Sequence, residues 1–143
     1  EIFGEMAKKG YIYKGLKPVY WCPDCRTALA EAEIEYGEDD CDSIFVRFHV
    51  SQDPNGVLAK HGIPMDKTYF VIWTTTTWTL PANEAICLNG AFEYSFVKIG
   101  EEYHIMATEL VKSVMDACHI ENYEIVGEPV SGAEFELMRY HPG

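Results

Sequence analysis

The run Ile72-Trp73-Thr74-Thr75-Thr76-Thr77-Trp78-Thr79-Leu80-Pro81-Ala82-Asn83 gathers more hydroxyls than any other stretch of the 143-residue sequence. A threonine hydroxyl both donates and accepts hydrogen bonds, so such a cluster suits a ribose or an ester carbonyl. Consecutive threonines also simply extend a β-strand, because a branched side chain fits a half-exposed pleated surface. The flanking Trp73 and the exit Leu80-Pro81-Ala82-Asn83 favour a strand-to-loop junction lined with hydroxyls and walled by aromatics. Trp78 reads first as a packing residue. A threonine without a neighbouring base is a poor nucleophile at neutral pH, so these hydroxyls suit positioning a water rather than attacking a carbonyl themselves.

A second constellation is Cys22-Pro23-Asp24-Cys25. Two cysteine thiolates at this spacing form half of a tetrahedral zinc site. Cys41 and His49 are the residues that could complete a Cys3His set, but Ser43 to Val50 reads as a strand, so Cys22 and Cys25 stand as a half-site. Cys87 and Cys118 are expected in the core. The histidines at 49, 61, 104, 119 and 141 fall into no Ser-His-Asp or Cys-His arrangement and read as structural or solvated. Glu31, Glu33 and Glu35 read as a solvated face, and Glu38, Asp39, Asp40 and Asp42 as an acidic loop, none with a catalytic role.

The elements that must position these groups come from a chain rich enough in apolar residues to bury a core: 48% are hydrophobic and 13% aromatic. Five cysteines are neither even in number nor dense, which excludes a secreted disulfide scaffold and favours a reducing cytoplasm. No apolar run approaches the roughly 20 residues that span a bilayer, and the charged start lacks the apolar stretch of a signal peptide, so no membrane partner is expected. The net charge of −12 is uneven. Residues 1–26 carry five basic and three acidic side chains, the remainder six basic and twenty acidic. An acidic body repels phosphate backbones, so any nucleic-acid contact must be local or supplied by other parts. The start at Glu1 without methionine and the stop at Gly143 give the expectation of a piece of a longer polypeptide.

Ile2, Phe3, Met6 and Ala7 recur at helical spacing and Gly10 follows, which predicts the end of a helix over residues 1–9. Tyr11 to Trp21 reads as extended, and residues from about Ala32 to Tyr36 as a strand. Further strands are predicted over Ser43–Val50, Thr68–Trp73, Glu84–Leu88, Phe92–Ile99, Glu102–Ala107 and Tyr123–Val126. Asp53-Pro54-Asn55-Gly56 reads as a turn. Thr108 is placed as the N-cap of a helix whose buried stripe is Leu110, Val111, Val114, Met115 and Cys118. Many short strands with one or two helices predict a β-rich α+β fold with a barrel-like sheet.

Trp73 to Asn83 resembles, almost letter for letter, the threonine-rich signature of the editing domain in isoleucyl-tRNA synthetases, a class I family. Lys17 to Tyr36 resembles the passage from catalytic domain into that insertion, and Gly132 to Pro142 a late strand of it. The resemblance implies an edge of the catalytic domain over residues 1–31 and an editing domain over 32–143, incomplete at its C-terminal end. It implies hydrolysis of the ester joining valine to the acceptor end of tRNA(Ile). Thr74, Thr75, Thr76 and Thr79 would hold the terminal ribose and aminoacyl group and position the water, with Trp73, Trp78 and Asn83 shaping the pocket. The editing reaction would need no cofactor. Zinc would sit at Cys22 and Cys25 only in the full enzyme, and ATP and magnesium would serve only the synthetic site, whose His-Ile-Gly-His and Lys-Met-Ser-Lys-Ser motifs do not occur here. The rest of the synthetase chain would be a partner, and the segment alone a weak deacylase. Where the family usually has proline this chain has Thr77. Two other readings remain: a zinc-stabilised binding module, and an inert structural connector.

Overall fold

The computed structural model describes residues 1–141, so Pro142 and Gly143, with the end of the expected late strand, lie outside the described residues. The chain divides into two compact units, Glu1–Asp40 and Cys41–Gly143.

In the first unit, helix α1 (Ile2–Lys8) stops where Gly10 takes a φ of +76°. The amides of Gly10 and Tyr11 then donate to the carbonyls of Ala7 and Met6, closing the helix as a left-handed glycine does. Strands β1 (Tyr20–Cys22) and β2 (Thr27–Leu29) form an antiparallel hairpin around the cysteine pair. The strand expected from about Ala32 is absent among the described residues. Glu31–Glu33 instead form a 3-10 turn, because the Glu33 carboxylate accepts the Ala30 amide at 2.7 Å and closes the backbone locally.

The second unit holds β3 (Ile44–Gln52), α2 (Val57–Lys60), β4 (Thr68–Thr74), β5 (Glu93–Ile99), β6 (Glu102–Ala107), α3 (Val111–Ala117), β7 (Glu124–Ser131) and β8 (Arg139–His141). Its six-stranded sheet runs β7-β5-β6-β4-β3-β8, with β4 and β6 parallel and every other pair antiparallel. The sheet is an open one, which corrects the barrel-like expectation. Closure requires the two edge strands to pair with each other, and β7 and β8 each have a neighbour on one side only. The β-rich α+β class stands.

Strand alternation sorts the side chains onto two buried faces. One carries Val50, Phe70, Tyr94, Phe96 and Ile105 and packs against Val57 and Leu58 of α2 and against Phe135. Phe135 meets Phe70 and Phe96 edge-on at 5.9 and 6.2 Å between centroids. The other face carries Val97 and Met106 under Val111, Val114 and Met115 of α3. Each such side chain contributes about 1.5–3 kcal/mol on burial, so these faces hold the unit together.

The expected turn at Asp53 forms, the Gly56 amide donating to the Asp53 carbonyl at 3.1 Å, and it leads into α2, whose first amides, Val57 and Leu58, donate to the two Asp53 carboxylate oxygens at 3.0 and 2.8 Å. Three other local expectations differ from the structure. Thr108 does not cap α3. Its hydroxyl bonds Ser95 across the hairpin at 2.9 Å, and Thr108–Leu110 form a 3-10 turn ahead of the helix. Leu110, in that turn, is exposed, as are Cys118 at the C-terminal end of α3 and Cys87, so neither cysteine belongs to the core. Residues 84–88 form no strand. No helix among the described residues is long and apolar enough to cross a membrane.

His104 of β6 is only 7% exposed and stacks on Tyr69 at 5.7 Å. Burial, the largest influence, holds its imidazole below the ordinary value of 6.5, with Arg47 acting in the same sense and Glu102 opposing. The unfolded chain therefore takes up this proton first as the pH falls past 6.5, and stability is lost until the folded imidazole protonates as well. Unfolding followed by circular dichroism between about pH 7 and pH 5 should show this acid-side loss. A His104→Leu variant should show a shallower slope, and an identical slope would mean that other groups carry it.

Candidate functional site at the end of strand β4

The threonine run begins inside β4, a β-branched and aromatic strand held between β3 and β6. Trp73 pairs with Phe45 and Thr74 with Ile44 across the ladder to β3. Alternation puts Thr74 on the face that carries Phe70, and Trp73 on the opposite face, 58% exposed. After Thr74 the strand breaks for a local reason. The Thr74 hydroxyl accepts the Thr76 amide at 3.0 Å, a side-chain turn that competes with the ladder. The same hydroxyl bonds that of Thr76 at 3.1 Å.

A 3-10 turn over Thr77–Ala82 follows. Thr79 fastens its start twice, through its amide at 3.2 Å and its hydroxyl at 2.7 Å, both donating to the Thr76 carbonyl. Thr74, Thr76 and Thr79 are thus joined in one hydrogen-bonded knot. Thr75 is half-buried, and its hydroxyl has no partner among the described residues. Thr77 opens the 3-10 turn, a position whose amide lacks a partner within the turn, so a proline there would forfeit no such bond. Trp78 is 76% exposed and belongs to neither core, so it does not pack as first read.

Asn83 ends the turn, its amide donating to Leu80 at 3.0 Å. Its side-chain carbonyl accepts the Tyr140 hydroxyl from β8. Burial raises the Tyr140 pKa, which keeps the phenol protonated as that donor. Tyr140 was not singled out in the sequence. Its only signal there is the alternation Arg139-Tyr140-His141, which marks a strand but not a partner. Asn83 also lines a cleft of about 870 Å³ between residues 83–90 and 132–140, walled by Phe70, Ile86, Leu88 and Phe135, with Glu84, Glu136 and Arg139 at its polar positions. The threonine hydroxyls do not line this cleft.

Among the described residues, no carboxylate or imidazole bonds to the threonine hydroxyls. The knot can therefore orient a water or a ribose by hydrogen bonds, and it holds no general base of its own.

The cysteine pair occupies the β1–β2 hairpin. Arg26, at a φ of +54°, donates its amide to the Cys22 carbonyl at 2.8 Å, and the Cys25 amide donates to the Cys22 sulfur at 3.3 Å. That amide, together with the Cys25 thiol, lowers the pKa of Cys22. Lowered thiols favour metal ligation, so the donor chemistry fits half a zinc site. No set of three or more His, Cys, Asp or Glu side chains able to hold a metal occurs among the described residues. His49 is engaged elsewhere, its Nε2 lying 3.0 Å from the Asp66 carbonyl oxygen.

Residues 1–139 match the family model of class I tRNA synthetases specific for I, L, M and V. The chain belongs to the class I tRNA synthetases. Within this synthetase family it is 53% identical over 146 residues to the isoleucine–tRNA ligase of Thermoanaerobacter sp. (strain X514). Identity is 56% over 142 residues to that of Caldicellulosiruptor saccharolyticus and 50% over 142 to that of Lactobacillus acidophilus. Each alignment covers 99% of this chain and 15% of the relative. The synthetase chain thus spans about 15% of the length of the ligases it matches, and these relatives agree with the isoleucyl resemblance of the threonine-rich segment.

Proposed function

We propose that the chain is a segment of an isoleucine–tRNA ligase and that its threonine knot forms part of a site hydrolysing valyl-tRNA(Ile). The observation that carries this reading is the hydrogen-bonded set Thr74, Thr76 and Thr79 at the end of β4, with the unengaged hydroxyl of Thr75 beside it. Water attacks the ester carbonyl, the bond to the ribose oxygen breaks, valine leaves, and the terminal hydroxyl of tRNA is restored. Fixed hydroxyls hold the ribose and the water in register, which lowers the barrier by orientation. The proton taken from water goes to a base outside this knot.

Such a site answers a physical need. A pocket that accepts isoleucine gains only about 1–3 kcal/mol from the extra methylene over valine, a limit for which isoleucine-specific synthetases are themselves the reference case. A second site must therefore sort the products. In this reading aminoacylation, with its ATP and magnesium, resides elsewhere in the ligase, the acceptor end of tRNA(Ile) is the ligand, and the setting is the cytoplasm. The deciding experiment is deacylation of valyl-tRNA(Ile) by the complete ligase with and without the Thr75 and Thr76 hydroxyls.

The hairpin supports a separate, structural reading: Cys22 and Cys25 supply two thiolates to a zinc ion whose other ligands lie elsewhere in the ligase. Metal analysis of the complete ligase purified without added zinc should then find one zinc that is lost in a Cys22→Ser, Cys25→Ser variant. Equal zinc content in variant and parent would remove this assignment.

A further inference from the structure

A hydrogen bond between side chains fifty-seven residues apart, from the Tyr140 hydroxyl to the Asn83 carboxamide oxygen, ties β8 to the end of the threonine turn. The bond has a definite sense. Burial keeps the phenol protonated, and a phenol is a stronger donor than acceptor, so it favours the oxygen of the carboxamide over the nitrogen. The Asn83 amide nitrogen bonds no protein group among the described residues and is not buried. Its two N–H donors are therefore open to a ligand.

The two partners are fixed to different degrees. β8 pairs with β3 so that Tyr140 stands opposite Val50, on the sheet face that carries Phe70 and Thr74. Its ring packs on Phe48 at 5.1 Å between centroids, tilted by 53°. Strand and ring together set where the hydroxyl stands. Asn83 follows a short 3-10 turn, and the terminal torsion of its side chain is soft, so a half-turn exchanges oxygen and nitrogen unless a partner selects one of them. The hydroxyls of Thr74, Thr76 and Thr79 are spent largely on one another and on the Thr76 carbonyl. An oriented donor beside that knot adds what its own hydroxyls supply only in part.

We infer that Tyr140 is a positioning residue of the hydrolytic site, holding the Asn83 carboxamide by its oxygen so that both N–H donors stay oriented for an ester or ribose oxygen of the bound acceptor end. The inference rests on the proposed function. Tyr140 touches no reacting atom and acts only through Asn83, by removing the conformers in which the amide is reversed.

Deacylation of valyl-tRNA(Ile) by the complete ligase tests this as a double-mutant cycle. Tyr140→Phe keeps the ring on Phe48 and should lower kcat roughly fivefold, the effect of losing one neutral hydrogen bond, while KM changes by less than about twofold. Asn83→Ala removes the donors themselves and should lower kcat further. Adding Tyr140→Phe to Asn83→Ala should then change the rate by less than about twofold, because the group that the tyrosine orients is gone. A tyrosine with a merely structural role would slow both backgrounds by the same factor, and that result would overturn the inference. So would an unaltered rate in either single variant while Thr75→Ala with Thr76→Ala slows hydrolysis, an outcome that leaves the proposed function standing. Hydrolysis at the parent rate by the threonine variant would instead remove the proposed function, and this inference with it.

Discussion

A complete ligase carrying Thr75→Ala and Thr76→Ala should clear valyl-tRNA(Ile) about 100-fold more slowly, while charging with isoleucine stays nearly normal. Removing one preorganised donor from a reacting carbonyl costs about 10²–10³ in rate, and the lower end is expected where the groups orient rather than carry the developing charge. The two hydroxyls differ in kind. That of Thr75 has no internal partner among the described residues and is free for a ligand. That of Thr76 shares a hydrogen bond with Thr74, so its loss also loosens the turn. The Thr79 bonds to the Thr76 carbonyl survive in the variant, because that acceptor is backbone. The loop should therefore keep its path, and the defect should lie in the hydrolytic rate rather than in folding. Deacylation at the parent rate would remove the threonine knot from the reaction.

The largest expected stability effect lies at Gly132, away from the threonines but on the wall of the cleft. A methyl group there would stand 2.3 Å from the Asn89 carbonyl oxygen and 2.8 Å from the Tyr94 ring. Neither neighbour is free to yield. Asn89 sits in the turn closed by the Phe92 amide on its own carbonyl at 3.1 Å, and its amide donates to the Tyr94 hydroxyl at 3.1 Å. Gly132 itself donates to the Phe92 carbonyl at 2.9 Å. Gly132→Ala must then open this turn or displace a core tyrosine, at a cost of about 3 kcal/mol, the upper range for overpacking. Gly90 is the internal control. A methyl there meets Ala133 at an ordinary 3.5 Å, and Gly90→Ala should change stability by less than about 0.5 kcal/mol. Denaturant titration of both variants checks the pair, and equal midpoints would mean that the turn yields more easily than its hydrogen bonds suggest.

Local chemistry was legible in the sequence wherever neighbours along the chain decide the structure. The helix end at Gly10, the strands from Ser43 and Thr68, and the Phe92 to Ala107 hairpin follow from spacing, β-branching and turn residues, and they appear where those signals lie. The threonine run was visible as a cluster because its members are consecutive, and two of its hydrogen bonds span only two residues. What the sequence could not show depends on partners distant in the chain. Whether Glu84–Leu88 is a strand is decided by a neighbour for its backbone, and none stands beside it among the described residues. Whether the sheet closes depends on where β7 and β8 come to lie, and tertiary packing leaves them at opposite edges. Thr108 was a plausible cap by local rules, but Ser95, thirteen residues away, took its hydroxyl. Asn83 became part of a cleft only because Tyr140, fifty-seven residues on, reaches its side chain. Propensity and spacing act over a few residues, whereas hydrogen-bond pairing across a sheet and the packing of a cleft act between segments that only the folded chain brings together.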